Sequence, residues 1–151
     1  MKRLLLIVIA AIAIVACKDE ERRTLYEDMM FFAEDLSSSE GYISPVTQLT
    51  VNANSSLNLN VIRNAFAAKD HHQQNAQIIV DEKLSTAEQG RDFSISESSL
   101  IFNGKNNTSI PITINIHDAK GKTIVLQLAY EYFQECPAEG RRADRLKIQI
   151  K

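Results

Sequence analysis

The chain predicts an all-β fold, an antiparallel sandwich of about seven strands, and three observations carry that prediction. Apolar and polar residues alternate with a period of two along much of the chain, most cleanly at Ile110, Ile112, Ile114 and Ile116. Turn-forming clusters such as Ser37-Ser38-Ser39-Glu40-Gly41, Asn103-Gly104 and Asp118-Ala119-Lys120-Gly121 separate those runs. No segment sustains a helical period long enough for a convincing long helix.

The N-terminus stands apart from that pattern. Lys2 and Arg3 give a positive start, and Leu4 to Ala16 is an unbroken run of apolar and small residues. The run falls short of the about 20 apolar residues of a membrane-spanning helix. It fits the about 7–15 of a secretory h-region, so it is a targeting segment outside the fold. Its end, Ile14-Val15-Ala16-Cys17, resembles the lipobox of bacterial lipoproteins. That resemblance implies a diacylglycerol on the Cys17 thiol, cleavage before Cys17 and acylation of the new α-amine. The chemistry suits the residues: a thiolate is the nucleophile for the lipid, and small Ala16 opens the scissile bond. Three acyl chains exceed the two signals that stable anchoring needs.

Lys18-Asp19-Glu20-Glu21-Arg22-Arg23 follows. A charge run there reads as a solvated tether. A basic residue and then acids directly after the cysteine also resemble the export signal of Bacteroidetes lipoproteins. That implies an outer-membrane location with the chain on the cell surface; the alternative is periplasm-facing. Residues 1–16 are thus read as the signal peptide, 17–27 as the lipidated cysteine and tether, and 28–151 as one sandwich domain.

Composition agrees with a single small domain. The 151 residues carry a formal net charge of −2 and 44% hydrophobic residues. Losing residues 1–16 leaves about 135 residues at about −4, enough for one core. The mild acidity, with no basic patch interleaved with aromatics, argues against a nucleic-acid partner. Of two cysteines, Cys17 goes to lipid, which leaves Cys136, beside Pro137, as an unpaired thiol.

Residues Thr24 to Asp35 admit two readings. Leu25, Met29 and Phe32 share a face of a short helix, or Asp28 to Phe32 is a first strand. The strand is preferred because everything after it reads as β. Leu57, Leu59 and Val61 line one face of the next strand, with Asn58 and Asn60 opposite. Ile78 and Val80 mark a strand from about Ala76 to Glu82. Leu100 and Phe102 run into Asn103-Gly104-Lys105-Asn106, which reads as a hairpin turn. The isoleucine strand follows; its Pro111 cannot donate a ladder bond and must face an edge or a bulge. Ile124, Leu126, Leu128 and Tyr130 alternate again, and Leu146, Ile148 and Ile150 close the chain.

Three of these stretches together resemble a Calx-β domain, in particular the Calx-β-like domains of unknown function in Bacteroidetes lipoproteins. They are Ser85-Thr86-Ala87-Glu88-Gln89-Gly90-Arg91-Asp92-Phe93, then Ser99-Leu100-Ile101-Phe102 before Asn103-Gly104, then Ile110-Pro111-Ile112-Thr113-Ile114. The resemblance is strongest from Ala76 to Leu128 and implies an immunoglobulin-like sandwich. It also raises calcium, because sensor domains of that family gather acids in the loops after the alternating strand. Here that place reads His117-Asp118-Ala119-Lys120-Gly121-Lys122, one acid and two lysines. Calcium wants several hard oxygen ligands, and Asp81, Glu82 and Asp92 form no evident cluster with Asp118. No metal or cofactor is expected, and Asp92 is expected to tighten the Gly90–Phe93 turn through its own backbone.

Other chemistry is thin. Zinc needs three or four converging ligands, and besides the Asp70-His71-His72 pair only His117 remains. No Gly-x-Ser-x-Gly elbow accompanies the serines, and no His-Asn or His-Asp pattern accompanies Cys136. Arg141-Arg142 with Asp144-Arg145 reads as a solvated loop. The chain has no Trp, the commonest platform for sugars, though Tyr26, Tyr42, Tyr130 and Tyr132 can serve. The expectation is a non-enzymatic, membrane-anchored binding or accessory module with a protein or glycan partner. The alternative is a structural or assembly subunit of an envelope complex, paired through sandwich edges.

Overall fold

The computed structural model describes residues 30–36, 43–63, 73–103, 108–130 and 143–151. These build two packed sheets. The first holds β1 (Met30–Ala33), β3 (Ser55–Arg63), β7 (Ser109–Ile116) and β5 (Phe93–Ile95), in the order β1-β3-β7-β5. The second holds β2 (Gln48–Val51), β9 (Arg145–Ile150), β8 (Thr123–Tyr130), β4 (Gln74–Val80) and β6 (Ser99–Phe102), in the order β2-β9-β8-β4-β6.

Alternation decides which side chains meet. In the β3–β7 pair, Leu57 faces Ile114, Leu59 faces Ile112 and Val61 faces Ile110. Leu59, Val61, Ile112, Ile114 and Ile116 are buried. From the other sheet Leu126, Leu128, Leu146, Ile148, Leu100 and Phe102 point back at them. Phe32 and Phe93, both fully buried, join the same core. Each such side chain contributes on the order of 1.5–3 kcal/mol by leaving water.

Among the described residues there are nine strands against the expected about seven, because two short strands escape the alternation rule. β2 has four residues and β5 three, too few for a period of two to stand out. β2 arises because the first strand of the sandwich is split between the sheets. β1 runs antiparallel to β3, the Val46 N–H donates to the Phe32 carbonyl at 2.7 Å, and the chain then lays β2 beside β9. The β2–β9 pair is parallel, so the second sheet is mixed rather than purely antiparallel.

The bounds of β4 and one connection differ from the sequence reading. Met30–Ala33 is a strand, as preferred over a helix; residues 24–29 lie outside the described residues. β4 ends at Val80 and not at Glu82, because the Asp81 carboxylate accepts from the N–H groups of Lys83 and Leu84 at 3.1 and 3.2 Å and turns the chain. The turn after Phe102 closes no hairpin. β6 pairs with β4 in one sheet, while β7 pairs with β3 and β5 in the other. A Gly-containing turn reads the same whether it joins neighbours or crosses the sandwich; Gly104 to Asn107 themselves lie outside the described residues. Pro111 sits opposite Asn60, past the point where β5 ends against Ile114, so it costs β5 no ladder bond.

Candidate functional site

The loop from β4 to β5 crosses one end of the sandwich and packs on the turn from β7 to β8. Its first half extends β8 as a false strand. The Asp81 N–H donates to the Val125 carbonyl, and the Thr86 and Ala87 N–H groups donate to the Thr123 carbonyl at 2.9 and 3.1 Å. Side-chain hydroxyls complete the ladder: the Val125 N–H donates to Ser85 Oγ at 2.9 Å and the Thr123 N–H to Thr86 Oγ1 at 2.8 Å. Ser85 Oγ also lies 3.4 Å from the Val125 carbonyl. These hydroxyls are spent on holding the loop, and among the described residues neither bonds to a base.

The second half closes on Asp92. The Asp92 N–H donates to the Glu88 carbonyl at 2.8 Å, and the Glu88 N–H returns to Asp92 Oδ2 at 2.8 Å. Gly90, with φ +87°, allows the reversal between them. Lys122, from the β7–β8 turn, places its ammonium 2.8 and 2.7 Å from Oδ1 and Oδ2 of Asp92. Arg91 adds Nε and Nη2 at 3.3 and 3.1 Å and pairs with Glu88 at 2.8 Å. The Asp92 side chain is only 6% exposed. The bonds from Arg91, then Lys122, then the Glu88 N–H hold its carboxyl well below the usual carboxylate range. The same bond to Asp92 pushes the Arg91 guanidinium up.

Asp92 was expected to act on its own turn through its own backbone. It does more: it ties that turn to Lys122 across the end of the sandwich. Two lysines, Lys120 and Lys122, stand in the turn where a cation would need carboxylates. The structure gives Lys122 a partner, so a metal at Asp92 would have to displace an ammonium already bound to both oxygens. Among the described residues no group of three or more His, Cys, Asp or Glu converges. His117 is exposed, while its backbone joins the turn: its N–H donates to the Asp92 carbonyl, and its carbonyl accepts from Asn54. Asp81 instead faces Arg145 at 3.7 Å.

Beside the loop lies an open depression of about 480 Å³ lined by Val80, Glu82, Ser85, Thr86, Ala87, Glu88 and Gln89. With its hydroxyls engaged and Glu88 on Arg91, it holds no nucleophile–base pair. Tyr130 is no sugar platform, because its hydroxyl accepts from the Met30 N–H at 2.9 Å and the residue is half-buried. Cys17, Cys136, Asp70-His71-His72, Arg141-Arg142, Tyr26, Tyr42 and Tyr132 all lie outside the described residues. Sequence reasoning missed the Lys122–Asp92 bridge. The signal is the proximity of two turns at one end of the sandwich, which only the topology supplies.

No family model matches the chain, and no curated protein matches it. Solved structures do. CBD12 from CALX1.2 superposes with a TM-score of 0.50 at 17% identity, over 81% of this chain and 43% of that one. A two-domain protein of unknown function from Bacteroides fragilis gives 0.49 at 10% identity, over 89% of this chain and 49% of that one. WR4, an MSP family member from C. elegans, gives 0.39 at 13% identity, over 68% and 92%. The chain spans less than half the length of the first two. At these identities the likeness concerns the fold alone: the chain is an immunoglobulin-like sandwich similar to a Calx-β domain.

Proposed function

We propose that this chain is a lipid-anchored cell-envelope protein whose sandwich acts as a non-enzymatic binding or accessory module. One observation carries the reading: Ile14-Val15-Ala16-Cys17 after a short apolar run, with a single small β domain beyond it. Support comes from the candidate end of the sandwich, where Ser85, Thr86, Asp92 and Lys122 are committed to bonds that hold the fold. Catalysis needs a nucleophile or an acid–base pair free to meet a substrate.

The test has two parts. Radioactive palmitate should label the chain and not its Cys17→Ala variant. Protease added to intact cells should remove the wild-type band, and should spare a variant with Lys18, Asp19, Glu20 and Glu21 replaced by alanine. Failure of Cys17-dependent labelling would refute the anchor. Protection of the wild type would refute surface exposure and favour the periplasm-facing alternative.

A further inference from the structure

We draw no further inference here: the strongest candidate, the outer edge of β2 where Gln48 and Thr50 turn their backbone groups away from β9, carries nothing, because nothing in the structure shows what covers it.

Discussion

Truncating two adjacent residues of β7 tests the architecture most directly. Ile114 is fully buried, faces Leu57 across β3 and Ile95 across β5, and sits in the middle of the core. Ile114→Ala removes three carbons, about 2.4 kcal/mol of lost transfer at about 0.8 kcal/mol each. A residual cavity in a two-sheet core, which cannot collapse freely, brings the total to roughly 3–4 kcal/mol. The next residue, Asn115, points to the opposite side and is exposed. Asn115→Ala loses one exposed side-chain hydrogen bond and should cost at most about 1 kcal/mol. Because the chain has no Trp, reversible urea unfolding is best followed by far-ultraviolet circular dichroism. With a urea m-value of about 2 kcal/mol/M, Ile114→Ala should lower the midpoint by about 1.5–2 M and Asn115→Ala by at most about 0.5 M. Equal shifts, or the reverse order, would refute the register, since a slip of one residue exchanges the two faces.

Three further outcomes follow from the sandwich end. Asp92 is held below the usual carboxylate range, so its contribution is present above the unfolded pKa of about 3.9 and fades as pH falls through the lower folded value. The melting temperature of the wild type should therefore exceed that of Asp92→Asn at pH 7, and the two should converge below about pH 4. Lys122→Met removes the ammonium that touches both Asp92 oxygens; the Asp92 carboxyl should then titrate at higher pH by NMR, and an unmoved titration would show the bridge to be idle. Asn54 has φ +54° in the β2–β3 turn. There Asn54→Gly should be neutral or mildly stabilising, whereas Asn54→Val should cost about 1–2 kcal/mol in the same urea assay.

Much of the sandwich was legible because period-two alternation survives wherever one face of a strand is buried. Leu57-Leu59-Val61, Ile112-Ile114-Ile116 and Leu146-Ile148-Ile150 all fall on the core as read. The pattern fails where strands are short, as in Leu49-Val51 and Phe93-Ile95, since two apolar residues one apart occur in any loop. It is also silent about which sheet a strand joins. Phe102 and Ile110 look like the arms of one hairpin, yet each packs on the core from a different side. The site was less legible for the same reason. Asp92 and Lys122 lie 30 residues apart, and their meeting depends on a crossover that no local signal encodes.

That meeting bears on where function can sit. A lysine near the one acid of a turn looks, in sequence, like a charge that spoils a cation site. In three dimensions Lys122 completes one: it neutralises Asp92 and staples the β4–β5 loop to the β7–β8 turn, while Ser85 and Thr86 stitch the same loop to β8. Each of these polar groups meets its bonding needs inside the fold, and a group so satisfied gains little from a ligand, because binding must first break what already exists. The amides of Asn58 and Asn115 are the contrasting case. Their oxygens are tied by neighbouring hydroxyls, Ser56 to Asn115 and Thr113 to Asn58, and both residues are exposed. On that physical criterion the charged end of the sandwich is a device that holds the fold.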